Sequence, residues 1–310
     1  MDITRLIINA GLTVGGLAGV ALGLLYFFQE KLLYVPSIPG LPRDYPYYPD
    51  AFGLEYEDIW MNAPDGIKLN AWLMWPSHWK AEDRKRRPVL IFFQENAGNM
   101  AYRLPFLKSL IRVLDCSAFI LSYRGYGRSE GSPTEMGLQM DADTAIGHIL
   151  QRDDIDVKNL VLMGRSLGGA VAIYAGTRHK SKIRGLIIEN TFTSIEETVP
   201  NMMGFLKPLI GPGKPCNWLV RNKWYSNKRI ENLKDVPMLF LSSLADEMLH
   251  PGQMLTLYLS HAAPPWSFVP FEGARHMDCF ETHAPLYWPA VQEFMGRLFP
   301  ENFDNTHGLS

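Results

Sequence analysis

Apolar residues occur along this chain in short runs, separated by longer stretches of helical character. Runs of four to six mostly apolar residues predict strands buried on both faces of a parallel sheet, and they lie at 89–93, 116–121, 160–163, 185–188, 238–241 and 266–271. The predicted helices lie at about 101–113, 135–151, 167–178, 251–260 and 284–298. Strands that alternate with helices predict an α/β protein with a mostly parallel, doubly wound sheet.

Two segments before these runs alternate polar and apolar residues, at 55–60 and 68–75. The turn-forming residues 63–66 lie between them, so we predict an antiparallel hairpin at the N-terminal edge of the sheet. Residues 191–227 are too long for an ordinary connection. Their apolar side chains predict a small helical lid, which either packs down on the domain or forms a wall for an acyl group.

The N-terminal stretch 6–28 is almost uncharged, and as a helix it would span about 35 Å. It predicts one transmembrane helix of a single-pass membrane protein, with the lipid bilayer as a partner and the orientation left open. A cleaved signal peptide is the alternative, but only Arg5 precedes the stretch and its apolar character continues to the end. A glycine at every fourth position allows a homodimer through one smooth helix face, although membrane helices are in any case rich in small residues; these are Gly11, Gly15, Gly19 and Gly23.

The prolines between residues 36 and 49 predict an extended linker after the anchor. The predicted organisation is therefore an anchor at 1–30, a linker at 31–51 and an α/β domain at 52–300. The lid is an insertion in that domain, and residues 301–310 form a C-terminal tail.

Composition narrows the possible functions of the 310-residue chain. A hydrophobic fraction of 47% and a charged fraction of 20% are typical of a globular protein. The formal net charge of −2 provides no electrostatic footprint for nucleic acid, and the basic run 84–87 is interpreted as a solvated loop. Three widely spaced cysteines indicate neither a disulfide framework nor a metal site.

The strongest candidate for chemistry is the sequence Gly164-Arg165-Ser166-Leu167-Gly168, which lies between a predicted strand and a predicted helix. This is the context in which G-x-S-x-G forms a nucleophile elbow. The glycines allow a sharp backbone turn and leave room where the strand and the helix crowd together. We therefore predict that Ser166 is a catalytic nucleophile.

A serine nucleophile requires a base and a group that orients the base. On such a sheet the acid follows a late strand and the histidine follows the last one. Asp246 and His276 occupy these positions, both at carboxyl ends of predicted strands, where ligands bind in open α/β sheets. Glu247 is the alternative acid.

Acyl transfer also requires N–H donors for the oxyanion. We predict the backbone N–H of Leu167 and, from the loop 94–99, that of Asn96, with Glu95 as the alternative. A carboxylate in an oxyanion site would repel the developing charge, so the Glu95 side chain is expected to turn towards a basic partner or solvent. A phosphate-binding loop is disfavoured because the Gly-Lys-Ser/Thr sequence is absent.

The segments FFQENAGN, SYRGYGRSEGSPTE, GRSLGGAVAIY, ENTFTSI, LFLSSLADEM and GARHMD together resemble the bud-emergence type of α/β-hydrolases, which includes fungal members and plant members of the wavy-root-growth type. The resemblance runs from about residue 20 to 298. It implies an α/β-hydrolase fold, one membrane span and a triad that maps onto Ser166, Asp246 and His276. Two departures occur. Many α/β-hydrolases have His-Gly in place of Gln94-Glu95, although the fungal and plant forms also lack that histidine. The last segment of the family usually reads His-Asn-Asp, whereas Met277 stands between His276 and Asp278 here.

The sequence thus predicts a membrane-anchored serine hydrolase that cleaves an ester or thioester of a small-molecule or acylated substrate. No metal or organic cofactor is expected. The alternative function is a hydrolase-fold scaffold that binds partners at a membrane and has little turnover.

Overall fold

A computed structural model describes residues 3–261 and 268–303 of the chain. Eight strands form one sheet in the order β1-β2-β4-β3-β5-β6-β7-β8. Their bounds are β1 Leu54–Asn62, β2 Lys68–Pro76, β3 Val89–Phe93, β4 Ser117–Leu121, β5 Leu160–Arg165, β6 Gly185–Glu189, β7 Met238–Ser243 and β8 Phe268–Phe271. β2 pairs antiparallel with both β1 and β4, whereas all neighbouring strands from β4 to β8 in this order pair in parallel. The predicted mostly parallel sheet with an antiparallel N-terminal edge is confirmed.

The α-helices occupy the connections between the strands. Their bounds are α1 Ile3–Leu33, α2 Ala81–Arg84, α3 Leu104–Leu114, α4 Glu135–Leu150, α5 Leu167–Arg178, α6 Ile195–Met202, α7 Ser226–Ile230, α8 Gly252–His261, α9 Cys279–Thr282, α10 Ala284–Leu298 and α11 Pro300–Phe303. The predicted helix 101–113 begins instead with a 3-10 turn, Met100–Arg103. Pro105 then occupies the first turn of α3, where its missing N–H costs no hydrogen bond.

Helices cover both faces of the sheet, and each face has its own apolar core. In β3, Val89, Ile91 and Phe93 pack on the face of α4, α5 and α8, whereas Leu90 and Phe92 pack on the face of α3 and α10. Because successive side chains of a strand point to opposite faces, a strand covered on both sides must be apolar throughout. This explains the continuous apolar runs in the sequence.

The N-terminal helix differs from the prediction. Over the part of the chain that the structure describes, no helix combines the length and the apolar character needed to cross a bilayer. The transmembrane helix predicted at 6–28 is therefore not found. Instead, α1 continues to Leu33, and its end contacts the domain: the Gln29 amide donates to the carbonyl of Leu219 over 2.9 Å, and Glu30 pairs with Arg221.

Three of the four glycines on the predicted ridge of α1 have no atom of the domain beside them. A Cβ added at Gly15, Gly19 or Gly23 meets no described atom within 4 Å. The homodimer predicted from this ridge stays a prediction.

The proline-rich segment after α1 is packed on the domain. Tyr34 and Tyr45 are buried, and the Tyr45 hydroxyl donates to Asn70 Oδ1 over 2.7 Å. The Trp224 indole N–H donates to the Tyr34 hydroxyl over 3.0 Å. Because a buried tyrosine contributes both a large apolar ring and a hydrogen bond, this extended segment is held against the fold rather than free of it.

The residues predicted as a lid contain α6 and short helical turns separated by irregular chain. Ser194 is the N-cap residue of α6, and its hydroxyl accepts a hydrogen bond from the Glu197 N–H. Most of the predicted C-terminal tail, residues 304–310, lies outside the described residues, as do residues 266 and 267 of the predicted last strand.

Candidate active site

Ser166 lies on a strained turn between β5 and α5. Its φ of 54° and ψ of −122° fall outside the regions that side-chain-bearing residues normally adopt. A Cβ at Gly164 would lie 2.0 Å from the carbonyl oxygen of Gly168, and one at Gly168 would lie 1.9 Å from the carbonyl oxygen of Phe93. The turn therefore requires glycine on both sides of the serine.

Neighbouring strands bring the other predicted residues to the same edge of the sheet. β6, β7 and β8 follow β5 in spatial order. Asp246 lies in the turn after β7, and His276 lies after β8. Asp246 and His276 follow Ser166 by 80 and 110 positions in sequence. They come together with it because the carboxyl ends of parallel strands meet at one edge of the sheet.

Hydrogen bonds join the three side chains in series. His276 Nε2 lies 3.0 Å from Ser166 Oγ, and His276 Nδ1 lies 2.7 Å from Asp246 Oδ2. Both the imidazole and the carboxylate are 2% exposed. A carboxylate only accepts hydrogen bonds, so Nδ1 carries the proton and Nε2 of the neutral ring accepts the serine O–H.

Asp246 is held in place by the backbone. Its Oδ1 accepts hydrogen bonds from the N–H groups of Met248 and Leu249, each over 2.8 Å. Glu247, the alternative acid, accepts instead from the backbone N–H of His276 over 3.2 Å and is largely exposed. The geometry therefore brings Asp246, and not Glu247, to the imidazole ring.

Asn96 and Leu167, the residues of the predicted oxyanion donors, line the same cavity as Ser166. Among the described residues, no acceptor is paired with the backbone N–H of Leu167 or Asn96, whereas the backbone N–H of Glu95, the alternative donor, bonds the Glu95 carboxylate. The Asn96 side chain fixes the loop, since its Nδ2 donates to the Leu33 carbonyl over 2.7 Å. Its Oδ1 accepts from the Tyr126 hydroxyl over 2.8 Å. The N–H groups thus remain available to an oxyanion.

The Glu95 side chain turns away from the oxyanion site, as predicted. It forms ion pairs with Arg103 and Arg165, and its distance to Arg165 Nη1 is 2.9 Å. Arg165 is also paired with Glu189 over 2.7 Å. We call these four residues the buried charge cluster. Burial alone would raise the pKa of Glu95, but the two guanidinium groups outweigh it and hold the pKa below its ordinary value.

Sequence reasoning missed two supports of the site. One is the buried charge cluster, because nothing marks Arg165 as more than a variable position of the G-x-S-x-G motif. The other is Asn190, whose Nδ2 donates over 2.9 Å to both Ser243 Oγ and the carbonyl of His276. Its φ of 44° is one that asparagine tolerates better than most residues, and the position of Asn190 directly after β6 was the available signal.

A cavity of about 330 Å³ opens onto Ser166. One wall is a face of α1 and the other consists of apolar side chains from 192–220, while Asn96 and Leu167 lie beside the serine. The volume is in the range of small-molecule sites. A second cavity, near Lys180 and Pro237, lies at the amino ends of β6 and β7, away from the three side chains.

The described residues contain no group of three or more histidine, cysteine or carboxylate side chains arranged to hold a metal ion. The arrangement around Ser166 consists of a hydroxyl, an imidazole, a carboxylate and unpaired backbone N–H groups. Together these groups can transfer a proton, attack a carbonyl carbon and stabilise a negative oxygen.

Comparison with known proteins finds relatives over most of the chain. A family model described as serine aminopeptidase, S33, matches residues 111–229. The chain is 42% identical to the α/β hydrolase domain-containing protein WAV2 of Arabidopsis thaliana, over 93% of this chain and 94% of the relative. It is 36% identical to protein bem46 of Schizosaccharomyces pombe, over 93% and 91%.

A third relative is described by its name as a membrane protein. The chain is 33% identical, over 91% of its length and 95% of the relative, to the uncharacterized membrane protein YNL320W of Saccharomyces cerevisiae. Among solved structures, the Pyrococcus furiosus esterase Pf2001 is similar with a TM-score of 0.65 at 16% identity. That similarity covers 86% of this chain and 97% of the esterase, and it supports the fold.

Proposed function

The chain belongs to the α/β-hydrolase family that includes WAV2 and bem46, and we propose that it is a serine hydrolase cleaving a carboxylic ester or thioester. In this proposal Ser166 is the nucleophile, His276 the general base and Asp246 the group that orients the base. The N–H groups of Leu167 and Asn96 form the oxyanion site.

The observation that carries the proposal is the continuous hydrogen-bonded series from Asp246 through His276 to Ser166. Two properties make it more than a structural contact. The serine is held at a strained backbone conformation beside a cavity, and strain of this kind persists where function requires it. The imidazole is also in the tautomer that can take the serine proton.

In the first half of the reaction, Ser166 Oγ attacks the carbonyl carbon while His276 Nε2 takes the hydroxyl proton. The carbonyl oxygen becomes an oxyanion, which the backbone N–H groups stabilise. Asp246 stabilises the imidazolium that forms. The tetrahedral intermediate then expels the alcohol or thiol, which receives the proton from Nε2, and an acyl-serine ester remains.

In the second half, water takes the place of the leaving group. His276 removes a proton from the water as it attacks the acyl carbon, and the same N–H groups hold the new oxyanion. Collapse returns the proton to Ser166 Oγ and releases a carboxylic acid. The chain's own residues supply every proton transfer in this scheme.

A fluorophosphonate probe and a short-chain ester test the proposal. Both require an activated serine, so we expect the full-length protein to be labelled and to hydrolyse the ester. Ser166→Ala should abolish labelling and reduce turnover by at least about 10⁴-fold, because triad members act as a unit. Ser181→Ala is the matched control, since Ser181 is exposed at the opposite end of the sheet, and it should leave both readings unchanged.

The outcomes separate the proposal from the scaffold alternative. A folded natural protein that neither labels nor hydrolyses any ester or thioester would favour a hydrolase-fold scaffold. Labelling that survives Ser166→Ala would place the reactive serine elsewhere and refute the assignment.

A further inference from the structure

We propose that the cavity between α1 and residues 192–220 is an acyl-chain site, in which a fatty acyl group of about a dozen carbons lies with its carbonyl at Ser166. The proposal rests on the proposed hydrolase function and names the class of substrate for it. The sequence left open whether the apolar residues of 191–227 merely pack down or form such a wall, and the contacts of α1 bear on that choice.

The polar side chains that line the cavity are already bonded to the protein. The Gln29 amide donates to the Leu219 carbonyl, and its oxygen accepts from the Arg221 N–H over 2.8 Å. The Thr198 hydroxyl donates to the Ser194 carbonyl over 2.8 Å. Since an unpaired polar group of a ligand would lose its hydrogen bonds to water here, the cavity favours an apolar chain whose only polar end is at Ser166.

α1 provides a whole face to this site. Leu22, Leu25, Gln29, Leu32 and Leu33 line the cavity, and their spacing of three and four residues places them on one side of the helix. This wall is therefore continuous along the last third of α1.

Polar contacts fix the α1 wall to the two segments beside it, the lid residues and the loop 94–99. Towards the lid residues, Glu30 pairs with Arg221 and accepts from Asn222 Nδ2 over 3.0 Å. Residues 94–99, which we call the oxyanion loop, hold the other side: the Leu33 carbonyl accepts a hydrogen bond from Asn96 Nδ2. Because charged and amide groups from three parts of the chain position the helix, the cavity has a defined shape next to the nucleophile.

The length of the wall sets the length of the chain it can hold. Leu22 and Leu33 are eleven residues apart, which corresponds to about 16 Å along the helix axis. An extended alkyl chain with bonds of about 1.5 Å and angles of about 111° advances roughly 1.25 Å per carbon. Leu33 lies at the oxyanion loop, so a chain that starts at Ser166 reaches the level of Leu22 after about a dozen carbons.

A series of p-nitrophenyl esters with acyl groups of two to sixteen carbons tests the proposal on the full-length chain. We expect kcat/KM to rise with each added methylene, by at most about fourfold per step, and to level off near twelve carbons. Leu25 lies eight residues, or about 12 Å, from Leu33 along the helix, so Leu25→Trp should block the far part of the wall and lower kcat/KM for the twelve-carbon ester by about tenfold or more. Its activity on the two-carbon ester should stay within about threefold of the natural protein.

Leu24→Trp is the matched control. Leu24 is the neighbouring leucine on α1, is 54% exposed and does not line the cavity. We therefore expect this variant to keep the natural chain-length profile. Equal chain-length profiles for Leu24→Trp and Leu25→Trp, or a natural protein without chain-length preference, would overturn the acyl-chain site. Turnover of the two-carbon ester in the same experiment would still support the proposed hydrolase function.

Acetate esters of long-chain alcohols form the second arm of the experiment. If turnover rises with the length of the alcohol and not of the acyl group, the cavity holds the leaving group and our assignment is wrong. Binding of a fluorescent twelve-carbon fatty acid provides a reading that needs no turnover. Binding that Leu25→Trp removes and Leu24→Trp retains supports the site even in a protein that hydrolyses nothing, and absence of binding to the natural protein refutes it.

Discussion

Replacing Glu95 by glutamine removes one carboxylate from the buried charge cluster. The side chains of Glu95 and Arg165 are 4% and 2% exposed, and Arg103 is 12% exposed. In the natural protein, the negative charges of two carboxylates balance the positive charges of two guanidinium groups. Glu95→Gln leaves one positive charge of the cluster uncompensated. Breaking a buried ion pair by removing one partner costs about 3–5 kcal/mol, so we expect the free energy of unfolding to fall by that amount.

Denaturant unfolding of matched variants measures this cost. Glu57→Gln makes the same chemical change in an ion pair with Arg152, but Glu57 is 44% exposed, and a loss within about 1 kcal/mol is expected there. In Glu95→Gln combined with Arg103→Gln, the remaining Arg165 and Glu189 balance each other. The double variant should therefore lose less stability than the sum of the single variants, by about 0.5–3 kcal/mol.

The stability difference also depends on pH in a defined direction. The pKa of Glu95 is lowered in the folded protein from an ordinary value of 4.5. Its stabilisation is therefore fully present above about pH 4.5 and is lost as pH falls through the lower folded value. The difference in the free energy of unfolding between the natural protein and Glu95→Gln should be constant near neutral pH and should decrease only in acid.

Turnover per folded molecule separates stability from catalysis. Because the Glu95 carboxylate points to Arg103 and Arg165, we expect Glu95→Gln to change ester turnover by less than about tenfold, a barrier change within roughly 1.4 kcal/mol. A gain above about 100-fold would mean that the carboxylate reaches the oxyanion site. A stability loss no larger than that of Glu57→Gln would contradict the uncompensated buried charge.

The remaining predictions concern the supports of the nucleophile. Asp246→Asn should lower turnover by about 10⁴-fold in steady-state assays, whereas Glu247→Gln should stay within about tenfold; the reverse order would assign the other carboxylate. Asn190→Ala should lower kcat by roughly tenfold with little change in KM, and it should lower stability by about 1–3 kcal/mol; an unchanged kcat would make Asn190 purely structural. Gly168→Ala should prevent folding or cost more than about 4 kcal/mol, while Gly147→Ala, with open space around its Cα, should raise the unfolding midpoint slightly.

Local patterns predicted the sheet and the sharp turn at Ser166 because the cause of each is local. A strand such as Val89–Phe93 is apolar throughout because it is covered on both faces. The glycines around Ser166 are required by contacts within the turn and with the end of β3. The order of Ser166, Asp246 and His276 follows from the order of the strands, which the alternation of elements reveals.

The environment of the N-terminal helix could not be predicted in this way. Its apolar stretch has no period that separates a face packed on a domain from one exposed to another medium. The partners that fix its end, Leu219 and Arg221, lie about 190 residues away in sequence. The same limit applies to Arg165, since its partner Glu189 ends β6 and its partner Glu95 lies in the loop after β3.

The position of α1 has a consequence for the order in which the protein is assembled during synthesis. Residues 29–34 leave the ribosome early, but several of their partners, at 219–224, follow 190 residues later. At about 5–20 residues per second, that interval lasts roughly 10–40 s. The C-terminal end of α1 therefore packs late although it is made before its partners, and Asn96, which bonds the Leu33 carbonyl, reaches its final environment equally late. A newly made chain should become competent for catalysis only after its C-terminal third has left the ribosome and residues 219–224 have packed against the end of α1.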